Sequence, residues 1–163
     1  MSWSRSSTRA LISIGAACDA FGKCALFYSD DIMMTRFLVS KRADVNALSR
    51  DGSILLHHVI CDLLDPGCRQ AIIKCLLDHG ADVNAGTRAL YTRLTALHVA
   101  CADIVPILLE HKPYTDISDN YGRTALQKAM QDMDWEKVRL LKEYGQHRAE
   151  SLHNPHTEYH NLA

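Results

Sequence analysis

Residues 72–100 read IIKCLLDHGADVNAGTRALYTRLTALHVA, the back half of one unit running into the front half of the next. Ile72, Ile73, Leu76 and Leu77 fall at the spacing that puts apolar side chains on one face of a helix. Gly80 follows the last apolar turn, where helices commonly end on a left-handed residue. Ala81-Asp82-Val83-Asn84 then turns outward, and Thr95-Ala96-Leu97-His98-Val99-Ala100 opens a new helix with Thr95 placed to cap it.

The same pieces recur along the chain. The leucine of Thr95-Ala96-Leu97-His98 has counterparts in Leu26, Leu56 and Leu126, at successive spacings of 30, 41 and 29 residues. Ala81-Asp82-Val83-Asn84 is echoed by Ala43-Asp44-Val45-Asn46 and more weakly by Tyr114-Thr115-Asp116. A turn motif appears as Asp19-Ala20-Phe21-Gly22-Lys23, Arg50-Asp51-Gly52-Ser53 and Asp119-Asn120-Tyr121-Gly122-Arg123. This pattern resembles the ankyrin repeat, whose T-P-L-H-x-A tetrad returns with a period of about 33 residues. The uneven spacings trace to an insert around Asp65-Pro66-Gly67, a longer finger after Asn84 and a shortened helix pair after His98. The resemblance implies an all-α solenoid of stacked helix-turn-helix units with β-hairpin fingers. It divides the chain into a terminus at 1–9, expected to be disordered, a repeat domain at 10–145 and a tail at 146–163, expected to be flexible. The repeat domain comprises a partial cap at 10–18 and repeats at about 19–48, 49–86, 87–118 and 119–145.

Several local expectations follow from the pattern. The outer helix of the first repeat spans about 32–39, with Met33, Phe37 and Leu38 turned inward. Arg42 stands where the family prefers glycine, a costly place for a side chain if the backbone is left-handed. The insert ends one helix near Leu64 and restarts the next near Arg69. Pro106 is tolerated only in a first helical turn, so that helix starts near Ile104 or Val105. The last helix, at about 135–144, carries a charged outer face, and Trp135 shields the edge of the core.

Composition is that of an ordinary globular chain: 163 residues, 47% hydrophobic and 23% charged. A net charge of −1 argues against bulk binding to nucleic acid or an anionic membrane. No apolar run reaches the roughly 18–20 residues of a membrane span, and the first residues lack the apolar core of a secretory signal. The six cysteines include no CxxC pair, and Cys24, Cys75 and Cys101 fall at positions the family fills with small or apolar residues. Reduced thiols and a cytoplasmic or nuclear setting are therefore expected, with a monomer, no cofactor and no metal.

In ankyrin stacks the fingertips and inner helices line a concave surface that binds protein, and the resemblance carries that role to particular positions here. In the second repeat they are Arg50, Asp51 and Ser53. In the third they are Arg88, Tyr91, Thr92 and Arg93, and in the fourth Asn120, Tyr121 and Arg123. Inner-helix contacts would come from Cys61, Asp62, Gln131 and Asp132. Arginine and tyrosine are enriched at binding hot spots, and arginines along one edge suit an acidic or phosphorylated partner segment. The same arginines would serve equally as a solubilising rim.

His57 and His98 occupy the fourth tetrad position, where the family uses the side chain to link neighbouring repeats. His58, Cys61 and Asp62 lie close enough in sequence to suggest a nucleophile and base, the basis of an alternative reading as an enzyme built on this scaffold. The chain contains no GxGxxG, Walker A, GxSxG or HExxH motif. The tail histidines His147, His153, His156 and His160 would bind a metal loosely at most, since His153-x2-His156 contains Pro155 and lacks a helix to align the imidazoles. Asn46 and Asn84 follow a Leu-x5-Asp-Val-Asn spacing that resembles asparaginyl hydroxylation sites of the family, and bracing of the finger turn accounts for them as well.

Overall fold

The computed structural model describes residues 23–61, 65–87 and 93–153, with side chains up to 148. The expected terminus at 1–9, the partial cap at 10–18, Asp62, Arg88, Tyr91, Thr92 and residues 154–163 lie outside the described residues.

Helices alternate between two layers. A 3-10 turn, Ala25–Tyr28, is followed by α1 (Ile32–Ser40), α2 (Leu55–Cys61), α3 (Pro66–Asp78), α4 (Ala96–Val99), α5 (Val105–Glu110), α6 (Ala125–Gln131) and α7 (Trp135–His153). The inner row runs from the 3-10 turn through α2 and α4 to α6. The outer row runs α1, α3, α5, α7, each packed on the next. Each of the first three pairs contributes a leucine that its neighbours enclose, Leu26, Leu56 and Leu97 being at most 1% exposed, whereas Leu126 of the last pair is half-buried. The connections that project from the stack are tight turns. Each of two is closed by one antiparallel bridge, Leu48 with Ile54 and Ser118 with Thr124, and no strand occurs among the described residues.

Helix starts follow a rule the tetrads alone do not reveal. An aspartate precedes each outer helix: Asp31, Asp65, Asp103 and Asp134. Asp31 accepts from the Met34 amide, Asp65 from the Gly67 and Cys68 amides, and Asp134 from the Lys137 amide. These bonds satisfy first-turn donors that have no partner inside the helix. Asp65 with Pro66 at the first helical position starts α3 three residues earlier than the expected Arg69. The start of α5 at Val105 keeps Pro106 in the first turn.

Three expectations are corrected. Met33 and Phe37 do not point inward; they are 68% and 49% exposed, and the buried face of α1 is carried by Thr35 and Leu38. Thr35 tolerates burial because its hydroxyl bonds the Asp31 carbonyl and the Ser29 hydroxyl. Trp135 is 65% exposed and does not shield the core edge; Lys137, Val138 and Leu141 form the buried stripe of α7. The last helix does not stop near Tyr144 but runs to His153. Arg148 holds the extension against the preceding repeat, donating to the Pro113 carbonyl and lying over the Tyr114 ring.

The left-handed position after each of the first three outer helices recurs at Arg42 (φ 62°), Gly80 (φ 88°) and Lys112 (φ 51°). A Cβ at Gly80 would meet nothing within 4 Å, so any cost of adding one comes from the backbone alone. Gly80→Ala is expected to destabilise the domain by about 1 kcal/mol. Arg42→Gly and Lys112→Gly should each stabilise it by a few tenths to about 1 kcal/mol, after the extra chain entropy of glycine is deducted. Urea unfolding of the three variants measures both signs.

Candidate functional site: the finger edge and a notch in the inner helices

The finger of the fourth pair is built around one carboxylate. Asp119 is 5% exposed and accepts from the Tyr121 and Arg123 amides through one oxygen and from the Arg123 guanidinium, at 2.8 and 3.0 Å, through the other. Burial alone would push its pKa up, but these hydrogen bonds outweigh it and hold the group below the usual carboxylate range. Gly122, at φ 75°, closes the turn. The Arg123 guanidinium then reaches Gln131 on α6 at 2.6 Å and sits 4.8 Å from the centre of the Tyr121 ring. Tyr121 is left 69% exposed on a rigid support.

The second finger uses its acid differently. Asp51 accepts from the Ser49 hydroxyl and from the Ser53 amide, and the Ser49 bond is the first cause of its lowered pKa. Gly52, at φ 80°, makes the corner, and Arg50 is exposed at the tip. In the third finger the Thr87 amide donates to the Leu94 carbonyl, and the Leu94 amide to the Thr87 hydroxyl, both at 3.0 Å. Gly86 makes room there, because a Cβ would lie 3.2 Å from Arg93 Cγ. Arg93 is exposed.

Paired polar brackets tie the fingers to the stack. His98 accepts from the Thr95 amide at Nδ1, which leaves the proton on Nε2, and Nε2 donates to the Arg123 carbonyl at 3.0 Å. His57 Nε2 lies 2.7 Å from the Leu94 carbonyl in the same way. Burial pulls both imidazoles below their ordinary value, so both are neutral links between repeats. The asparagines act between repeats rather than within their own finger. Asn46 bonds the Gly80 carbonyl and the Asp82 amide, and Asn84 accepts from the Tyr114 amide.

The inner row has a gap. α4 has only four residues, against seven in α2 and α6, and a cavity of about 430 Å³ opens where its next turn would lie. Cys61, Cys101, Lys128, Asp132 and Lys137 border it. Lys137 is 4% exposed and donates from Nζ to the carbonyls of His98 and Ala100 at 3.2 and 2.7 Å. These are backbone acceptors at the truncated end of α4, so an ammonium from α7 occupies the place of the missing turn. Burial draws the Lys137 amine below its ordinary value. The sequence pattern gives the last helix a charged outer face, and a hint of the burial of Lys137 is its position one turn before Leu141.

A family model described as ankyrin repeats, in three copies, matches residues 67–150, 84 of the 163 residues. The chain belongs to the ankyrin-repeat family. Of the expected contact residues, those described lie at the fingers and beside the notch. Arg50, Asp51, Asn120 and Tyr121 are exposed at turn tips, and Ser53 and Arg123 are half-buried at their bases. Arg123 and Gln131 are joined, and Cys61 and Asp132 both border the notch. His58 is not drawn to that cavity; its ring packs 5.4 Å from Phe27. Cys101 lies exposed beyond the end of α4.

Two outcomes test these electrostatic assignments. Asp119 has a folded pKa below its unfolded value, so its contribution is present at neutral pH and is lost as pH falls through the folded pKa. Asp119→Asn should therefore unfold at lower urea than the wild type at pH 7, and the difference should shrink in the acid range below about pH 4. Lys137→Met keeps the aliphatic stem but leaves two carbonyls without their donor. A loss of about 1–3 kcal/mol in urea unfolding is expected.

Proposed function

We propose that this chain is a protein-interaction module, acting as an adaptor or inhibitor, that holds a partner segment along its finger edge and inner helices. The observation that carries the reading is Tyr121. A tyrosine 69% exposed, stacked on an arginine that is itself anchored to Asp119 and Gln131, offers contact area with little side-chain entropy left to lose. Arg50 and Arg93 are exposed on neighbouring fingers, and Arg88, Tyr91 and Thr92 belong to the same edge by sequence. Together with Asp51, Ser53 and Asn120 they make a polar, arginine-bearing rim, with Cys61, Asp62, Gln131 and Asp132 behind it. Exposed arginines favour an acidic partner segment. Arg123 adds less to that preference than its charge suggests, because Asp119 already pairs it.

A net charge of −1 supports a protein rather than nucleic acid as the partner, and no helix among the described residues is long and apolar enough to cross a membrane. A monomer in the cytoplasm or nucleus is the setting this reading assumes.

The test is quantitative capture followed by calorimetry on the captured protein. Tyr121→Ala and the pair Arg50→Ala, Arg93→Ala are each expected to weaken binding at least about tenfold. Arg139→Ala, on the outer face of α7, should leave it unchanged. A partner held equally by all of these variants would sink the finger-edge assignment.

A further inference from the structure

Two successive junctions of the outer row handle charge in opposite ways. Between α3 and the α5 segment, basic side chains meet acidic ones: Arg69 pairs with Asp103, Lys74 with Glu110, and His111 with Asp78. Where α7 packs past α5, basic groups meet each other. Lys112, from the turn that ends α5, and Tyr144, His147 and Arg148, from α7, border a cavity of about 390 Å³. No carboxylate lines it among the described residues. Tyr144, His147 and Arg148 stand three and four residues apart, the spacing that makes side chains neighbours on a helix surface. Acidic residues close by in sequence are engaged elsewhere, Glu110 with Lys74 and Glu143 with Arg139.

The guanidinium at this cavity is set in place before any ligand arrives. Arg148 donates one N–H to the Pro113 carbonyl at 3.3 Å and lies 5.9 Å from the centre of the Tyr114 ring. A guanidinium carries five N–H donors in one plane, so an anchor that uses one of them also orients the rest. Lys112 is exposed, at φ 51°. Like charges that face one cavity raise the energy of the protein, and an anion entering between them lowers it. Lys112 and Arg148 together carry two positive charges. A carboxylate would neutralise one of them; a phosphate monoester, with a charge of about −1.5 to −2 near neutral pH, answers both. The guanidinium fork suits paired phosphate oxygens, and the ammonium acts beside it as a point charge. Tyr144 is half-buried and adds a hydroxyl and an apolar ring. The cavity falls within the range of roughly 300–1,000 Å³ typical of small-molecule sites.

We propose that this cavity binds a small molecule carrying a phosphate monoester, with Lys112 and Arg148 on the phosphate and Tyr144 against the organic part. The site uses none of the finger-edge residues, so it stands or falls apart from the protein-binding role. Lys112 also supplies the cleanest test. Gly80 occupies the equivalent turn position at φ 88°, so a glycine at 112 removes the ammonium and relieves the left-handed backbone in one step.

The experiment is an NMR titration of the full chain with phenyl phosphate at fixed ionic strength, near pH 7.5 and so above a phosphate monoester's second pKa of about 6. Amides of Lys112, Tyr114 and Tyr144 to Arg148 are expected to shift and to saturate. Benzenesulfonate, which puts a single charge on the same ring, should bind at least about tenfold more weakly. Lys112→Gly and Arg148→Gln should each weaken phenyl phosphate at least about tenfold. Arg139→Ala, which removes a cation of α7 outside the cavity, should change its affinity less than about twofold. Because Lys112→Gly is expected to unfold at higher urea than the wild type, its loss of binding would not reflect misfolding. Shifts that do not saturate, equal binding of the phosphate and the sulfonate, or affinity indifferent to Lys112→Gly would overturn the proposal. Inorganic phosphate bound as tightly as phenyl phosphate would overturn the ester in favour of the free anion.

Discussion

A helix pair of this size has no interior of its own. The 3-10 turn and α1, or α4 and α5, become buried only because the next pair covers them, and the leucines at the tetrad positions are the residues this shared burial encloses. Apolar stacking by itself would allow neighbouring pairs to slide. Hydrogen bonds across the junctions oppose it: His57 to Leu94 and His98 to Arg123 at the finger side, and Asn46 to Gly80 and Asp82, and Asn84 to Tyr114, at the outer turn, so that the junction between the second and third pairs is held at both ends. Burial keeps the imidazoles neutral, so the brackets act as directional links rather than as charges. The structure therefore depends on two kinds of contact between repeats: one non-directional that provides cohesion, and one directional that provides register.

The third pair shows what the scaffold does when a repeat is too short. Losing a turn of α4 leaves backbone carbonyls facing the interior, and unpaired acceptors there cost about 1–3 kcal/mol each. The fourth pair answers from outside, with Lys137 reaching from α7 to His98 and Ala100. A charged amine in a buried place is expensive by itself, which makes the arrangement intelligible only as a response to the missing turn. Its by-product is the notch bordered by Cys61 and Asp132, a concavity that a regular repeat would have filled.

What the sequence disclosed and what it hid divide along the same line. Tetrads, left-handed turns and the truncated pair are local patterns of apolar spacing and glycine, and Thr95, Gly80, Gly122 and Pro106 stand where those patterns put them. Met33 and Phe37 were misjudged because an apolar residue on α1 has two faces to choose between. Which face counts as inside depends on what lies before it in the stack. Lys137 was hidden for the converse reason: its partners are carbonyls nearly forty residues earlier, and no periodicity marks them. The contact residues at the finger edge were named through the family pattern, and their roles in holding the turns together, Asp119 above all, appeared only with the geometry.

That geometry bears on which arginines are available to a partner. A guanidinium forked onto a buried carboxylate and a glutamine would give up those bonds before it could meet a ligand, so Arg123 serves best as the platform beneath Tyr121. Arg50 stands at a turn tip and Arg93 beside the base of its finger, both exposed to water. An edge of this construction separates two tasks. In the proposed binding role, fixed residues would set the position of an aromatic contact in advance, and exposed cations would tune the charge of what approaches it. Finger sequence can then change without disturbing the stack, provided the residues that close each turn, Asp119 with Gly122 and Ser49 with Gly52, keep their hydrogen bonds.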